Sequence, residues 1–160
     1  GDRRGPLRKV EIRRAPALTV AGIAYRGPYA EIGVAFGRLH EVLTNRALYR
    51  DGEYNVAIYF DDATATPAAE CRALAGRSMA ADAKIEPPLE RVDLMAGEHA
   101  VLRHVGPYAD LGRAYAWLLG VWLPGSGRAA ANRPCYEIYV NTPMDVEPKS
   151  LITDIYVPLE

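Results

Sequence analysis

Gly27-Pro28-Tyr29-Ala30-Glu31-Ile32-Gly33 returns as Gly106-Pro107-Tyr108-Ala109-Asp110-Leu111-Gly112, 79 positions further along the chain. Val56-Ala57-Ile58-Tyr59-Phe60-Asp61 returns 80 positions on as Tyr136-Glu137-Ile138-Tyr139-Val140-Asn141. Segments that recur at nearly one offset point to a duplication: the 160 residues read as two copies of one unit, the first over about 8–80 and the second over about 88–160. Whatever one copy folds into, the other must fold into as well. Two like units meet about a pseudo-twofold axis and leave a groove at their seam. A position where the copies differ in chemistry is then a candidate site.

The periodicities within each copy set the element order. Residues 7–14 alternate, with Val10 and Ile12 opposite Lys9, Glu11 and Arg13, as in a half-buried strand. Residues 17–25 read as a second strand, expected to pair with the first across Ala15-Pro16. Gly27-Pro28 ends it and opens a helix, since a proline's missing N–H would be unpaired in a first turn anyway. Ile32, Phe36, Leu39 and Leu43 form one apolar stripe at helical spacing, and Leu111, Tyr115, Leu118 and Trp122 repeat it on a helix predicted over 109–123. Pro124-Gly125-Ser126-Gly127 stops the second helix. Strands are predicted over 54–60 and, interrupted by Gly76, over 71–79. Pro87-Pro88 marks the hinge, and 89–94, 98–105, 135–141 and 151–159 are the strands of the second copy. The fold class expected is α+β: duplicated β-α-β-β units, each extended by a leading strand, in an antiparallel sheet with one main helix per half and a central ligand cleft. One sheet face packs under the helices, and the other face or the seam is left for a ligand.

Bulk properties narrow the function. An apolar fraction of 49% supports a real core in a single domain over 1–160. The charges nearly cancel, 19 positive against 20 negative, which argues against direct nucleic-acid binding. No apolar run is long enough for a membrane span and no signal peptide is visible, so a cytoplasmic protein without membrane association is expected. Gly1 stands where an initiator Met would be and is read as a cloning scar or an excision point. The basic residues Arg3, Arg4, Arg8, Lys9, Arg13 and Arg14 read as a solvated linker and the outer face of an edge strand. Cys71 and Cys135 form no CxxC pair, and His40, His99 and His104 make no metal-ligand spacing, so neither a metal nor a cofactor is expected.

The chemistry concentrates in the tyrosines. Ten Tyr against two Phe is more hydroxyl than a core needs and points to a surface or groove with both apolar and polar demands. Val56, Ile58 and Phe60 are assigned to the core face, with Ala57 and Tyr59 opposite; in the second copy Ile138 and Val140 take the core face, with Glu137 and Tyr139 opposite. The repeat keeps the Tyr and exchanges Ala57 for Glu137. In the last strand Asp154 and Tyr156 alternate with Ile155 and Val157. If the two strands are neighbours, Glu137, Tyr139, Asp154 and Tyr156 share one face, and carboxylates among tyrosines make a seat for a flat, apolar, cationic molecule. The plainer reading is a Glu137 that is simply exposed or paired with Arg103 or Arg133. Trp117 lies off the helix stripe, as a packing contact or a ligand wall.

Arg-His-Val-Gly-Pro-Tyr at 103–108, Trp-Leu-Pro-Gly-Ser-Gly at 122–127, Cys-Tyr-Glu-Ile-Tyr-Val-Asn at 135–141 and Thr-Asp-Ile-Tyr-Val-Pro-Leu at 153–159 together resemble the GyrI-like small-molecule-binding family. This is the effector-binding domain found alone or at the C-terminus of AraC-type and MerR-type multidrug regulators. The resemblance runs from about Val10 to Leu159. It implies a cleft for hydrophobic, often cationic aromatic compounds, with Glu137 as the ligand-binding carboxylate and Tyr156 and Asp154 as the aromatic and acid of the last strand. Asp154 stands where Glu is frequent. His104 and Tyr25 occupy equivalent places beside the Gly-Pro-Tyr turns and are expected to line the cleft.

Three functions follow from that likeness. In the first, a drug-sensing module or stand-alone binder, Glu137 neutralises a cation and Tyr59, Tyr139 and Tyr156 flank its aromatic body. In the second, a hydrolase opens strained cyclopropane rings with Glu137 as general base. The third is a gyrase-interacting inhibitor. Whether a DNA-binding domain was once attached, and whether the chain forms a homodimer, are left open.

Overall fold

The computed structural model describes residues 8–160, and Arg3 and Arg4 of the basic run lie outside the described residues. Eight strands form one antiparallel sheet: β1 (Val10–Ala15), β2 (Leu18–Arg26), β3 (Asn55–Tyr59), β4 (Arg72–Met79), β5 (Glu90–Leu94), β6 (Gly97–Val105), β7 (Cys135–Tyr139) and β8 (Ile152–Pro158). Their order across the sheet is β1-β6-β8-β7-β3-β4-β2-β5. Helix α1 (Gly33–Asn45) lies between β2 and β3. Between β6 and β7 runs a second helical stretch, α2 (Leu111–Trp117), a π-helical turn (Leu118–Trp122) and α3 (Leu123–Ser126). The fold is α+β, as the alternation of periods requires. No helix among the described residues is long and apolar enough to cross a membrane.

The first strand does not pair with the second. β1 pairs with β6, and β2 takes β4 and β5 as neighbours. The reason is local. A two-residue hairpin needs positive φ at its centre, and Pro16-Ala17 cannot supply it, because proline holds φ near about −65°. Met95-Ala96, between β5 and β6, is no better suited, and β5 pairs with β2. Each half therefore lends an edge strand to the other.

Gly76 does not interrupt β4. It sits opposite Gly22 on β2. A Cβ at Gly76 would run into Val20 Cγ1 and stand 3.2 Å from the Ala21 carbonyl, so the glycine is what lets β2, β3 and β4 approach.

The stripe predicted for α1 is buried. Ile32, Leu39 and Leu43 pack with Ala35 against Ala21, Ile23, Ala57, Ala73 and Ala75. The second helical stretch lays Ala114 and Leu118 on Ala100, Leu102, Ile155 and Val157, with Trp122 at the margin. The helices thus cover the Ala57/Tyr59 face, the reverse of the sequence assignment. Val56 and Ile58 point the other way, into a cluster with Val20, Leu74, Leu94 and Tyr136 that is also buried. Alternation could not separate the faces because both are packed in the sheet centre. The strand ends lose that cover: Phe60 is 39% exposed and Val140 49%.

Candidate functional site

Glu137 stands at the centre of the sheet, where β7 lies between β3 and β8. Its cross-strand partners are Ala57 and Ile155. The carboxylate points to the helix face, where the small side chain of Ala57 leaves room, and it is only 2% exposed. Three phenols converge on it. Tyr59 Oη donates to Oε1 at 3.1 Å and Tyr139 Oη donates to the same oxygen at 2.7 Å. Tyr115 Oη, from the stripe of α2, donates to Oε2 at 2.6 Å. No ion pair among the described residues includes Glu137.

The donors belong to a larger aromatic box. Tyr29 tilts against Tyr59 at 4.6 Å between centroids, and Tyr59 meets Tyr115 edge-on at 6.4 Å. Phe36 and Tyr108 each meet Tyr139 edge-on at 5.6 Å. Tyr29 and Tyr108 come from the two Gly-Pro-Tyr turns. Gly27 and Gly106 hold φ at 146° and 139°, a region that side chains avoid. Their N–H groups donate to Cys71 O at 2.9 Å and Leu151 O at 2.8 Å, which pins the turns to the residues that lead into β4 and β8. The two tyrosines then differ. Tyr29 Oη donates to Arg72 O at 2.7 Å and accepts the Asp61 N–H at 3.1 Å. Tyr108 is 38% exposed, and its hydroxyl has no hydrogen-bond partner among the described residues.

Burial raises the Glu137 pKa above the ordinary carboxylate value, while the three phenols, and His104 by its charge, pull it back down. Burial, and then the Glu137 charge, lift Tyr59, Tyr115 and Tyr139 well above ordinary phenols. Tyr108 is raised by the same two causes, and Cys135 is pushed up to about 11. The phenols therefore stay protonated and donate. The carboxylate is an acceptor in a low-dielectric box, where a cation's attraction is felt far more strongly than in water. Such a group can hold a cation or take a proton.

The structure brings Glu137, Tyr139 and Tyr59 together. It sets Asp154 and Tyr156 apart from them, correcting the expectation of one shared face. β7 and β8 are neighbours, but their antiparallel register puts Glu137 opposite Ile155 and Tyr136 opposite Tyr156. Asp154 and Tyr156 therefore face away from the helices. Asp154 is held there by a two-pronged pair with Arg103, at 2.9 and 3.0 Å. Arg103 is thereby accounted for, and Glu137 pairs neither with it nor with Arg133. Tyr156 stacks on Tyr136 at 4.8 Å and 8° between planes, and the Arg13 guanidinium sits 5.5 Å from its ring centroid. That cation–π place is already filled.

Tyr25 and His104 brace the turns: Tyr25 Oη donates to Pro28 O at 2.6 Å, and His104 Nε2 lies 3.2 Å from Pro107 O. Trp117 is half-buried on the flank of the second-half cluster with Val10, and Arg8 lies 6.0 Å from its ring. Sequence reasoning passed over Tyr115, Tyr108, Tyr29 and Phe36 as site residues. Tyr115 carried a signal, a hydroxyl on an otherwise apolar stripe, which needs a partner once buried. Glu137 is closed off by rings, so the expected cleft is not open at its carboxylate. No group of three or more metal-ligating side chains occurs among the described residues.

The helix-covered sheet thus closes six rings over one carboxylate that no ion pair among the described residues offsets. A family model of the GyrI-like small molecule binding domain matches residues 8–160, and the chain belongs to that family. It is similar to a DNA gyrase inhibitor of Yersinia enterocolitica, 31% identical over 127 residues, covering 76% of this chain and 80% of that protein. It is 37% identical over 67 residues to the probable transcriptional regulator YgiV of Escherichia coli K12, a stretch spanning 42% of each. Among solved structures, EcmrR in a complex with DNA matches with a TM-score of 0.80 at 18% identity, over 96% of this chain and 58% of that one. SAV2435 bound to tetraphenylphosphonium matches with a TM-score of 0.68 at 14% identity, over 95% of this chain and 94% of that one. At these identities the structural likeness is one of fold.

Proposed function

We propose that this domain binds hydrophobic, cationic aromatic small molecules at Glu137, as the drug-sensing effector domain of a transcription regulator or as a stand-alone binder. One observation carries the reading: Glu137 is a buried carboxylate, given three phenol donors but no ion-pair partner among the described residues. An isolated buried charge is costly, and a bound aromatic cation would compensate it while stacking on the box. Entry needs a ring to move. Tyr108, exposed and without a hydrogen bond on its hydroxyl, is the ring with least to lose. In an attached regulator the ligand would act by binding one of two states more tightly.

The same reading treats residues 1–160 as one domain made of two units, about 8–80 and 88–160, related by a pseudo-twofold axis. Strand order supports this: exchanging β1–β4 for β5–β8 turns the sheet order into its own reverse. Under that exchange Tyr29, Phe36 and Tyr59 map onto Tyr108, Tyr115 and Tyr139, and Ala57 maps onto Glu137. The site is where the copies differ.

SAV2435 carries tetraphenylphosphonium, which makes that cation the first probe here. A rise in Tm on adding it, by mass action on the folded state, is the expected result. Absence of the rise in a folded Glu137→Gln variant assigns the effect to the carboxylate. A second reading, hydrolysis, draws on the raised pKa of Glu137, which suits a general base beside phenols that stabilise developing charge. Turnover of a strained cyclopropane substrate that disappears in Glu137→Gln supports it, and full turnover in that variant excludes it. Gyrase antagonism ranks last, because the box is internal and offers a protein partner no surface.

A further inference from the structure

Thr153 lies on the helix face of β8, opposite His104 on β6 and Tyr139 on β7. It is fully buried, and its Oγ1 has no hydrogen-bond partner among the described residues. Folded proteins find a partner for nearly every buried hydroxyl, so an orphan calls for a cause. A hydroxyl is not what the fold needs at this place. The corresponding place on β4, between Tyr25 and Tyr59, is filled by the methyl group of Ala73. Nor does His104 supply a partner, since its Nε2 is turned to the Pro107 carbonyl.

Thr153 is a diagonal cross-strand neighbour of Glu137, and such neighbours stand about 7–8 Å apart. That is the span of an aromatic ring with one substituent. It lies beside Tyr139, whose own hydroxyl is already spent on Glu137 Oε1.

We propose that Thr153 Oγ1 is a second polar contact of the ligand. The ligands that fit this site best are then aromatic cations bearing an amine or hydroxyl group, which bonds Thr153 while the cationic centre faces Glu137. This inference rests on the reading of Glu137 as the seat of the cation.

Two probes separate the two claims. Tetraphenylphosphonium is a cation with no hydrogen-bonding group, and ethidium is an aromatic cation with two primary amines. Affinities are measured for the native protein, Glu137→Gln, Thr153→Val and Thr153→Ser. Valine keeps the shape of Thr153 and removes only the orphan hydroxyl, so the fold should hold. In Thr153→Val, ethidium affinity should fall about five- to tenfold, the worth of one hydrogen bond, with tetraphenylphosphonium changed by less than about twofold. Thr153→Ser should keep ethidium affinity. A Thr153→Val protein that binds both probes as the native one does, or weakens both equally, overturns the proposal even where Glu137→Gln abolishes both. Failure of the native protein to bind either probe overturns the cation-site reading and this inference with it.

Discussion

Tyr115→Phe tests the electrostatic account of the box. The substitution keeps the ring, its burial and its contact with Tyr59, and removes one hydroxyl. That hydroxyl is the single donor to Glu137 Oε2 among the described residues, at 2.6 Å, whereas Oε1 has two. A hydrogen bond to a charged group is worth about 1.5–3 kcal/mol, and one between neutral groups about 0.5–1.5. For a chain of this size each kcal/mol moves Tm by roughly 2–4 °C, so the expected loss is about 3–12 °C near neutral pH. The pH dependence follows from the sign of the Glu137 shift. Its folded pKa lies above the unfolded one, so its contribution is fully present below the unfolded pKa and is lost as pH rises through the folded one. Removing a donor that favours the ionised form raises the folded pKa further. The cost of Tyr115→Phe must therefore grow as pH rises and shrink as Glu137 takes up its proton. In a Glu137→Gln background the cost should fall to that of a neutral bond, leaving a coupling of about 1–1.5 kcal/mol in a double-mutant cycle. Thermal melts of the four proteins across about pH 5–8 measure this. Equal cost in both backgrounds at every pH would show that the Tyr115 hydroxyl contributes nothing that depends on the charge of Glu137, and would refute the reasoning.

Glu137→Gln should itself raise Tm by a few degrees near neutral pH, the gain vanishing toward acid, because it relieves a buried charge whose desolvation outweighs the hydrogen bonds to it; a lower Tm at neutral pH would contradict the raised pKa. Gly76→Ala should destabilise by about 1–3 kcal/mol, read as a lower Tm, because the added methyl meets Val20 and the Ala21 carbonyl; an unchanged Tm would mean that β2 and β4 can part. Asp154→Asn and Tyr156→Phe should leave tetraphenylphosphonium affinity within about twofold, since both side chains face away from the box; a large loss in binding titrations of either would put the ligand on the other face.

The Gly-Pro-Tyr turns, the two helix stripes and the eight strands are written in local sequence, because each depends on spacing within a dozen residues. The exchange of Ala57 for Glu137 was legible for the same reason: two strands that share Ile58-Tyr59 and Ile138-Tyr139 carry Ala and Glu at the position just before. Pairing was not local. Whether β1 reverses onto β2 turned on a Pro16-Ala17 link that cannot make a tight hairpin, and its partner β6 is far along the chain, as in the Val10–Leu102 pair. The face of Asp154 and Tyr156 turned on the register of β8 against β7, and alternation within one strand cannot reveal that. Tyr115 read as part of an apolar stripe, and its ring does pack, partly buried, against the core; its hydroxyl alone belongs to the site. Thr153 carried no sequence signal, since a threonine on a strand is ordinary until its hydroxyl is found without a partner.

The most direct test of the central claim is the binding of tetraphenylphosphonium, measured by calorimetry on the native protein and on Glu137→Gln at neutral pH. The account predicts saturable binding with one site per chain, lost in the variant although the variant melts no lower than the native protein. Equal affinity in both proteins would contradict it, and would remove Glu137 from the seat of the ligand's charge.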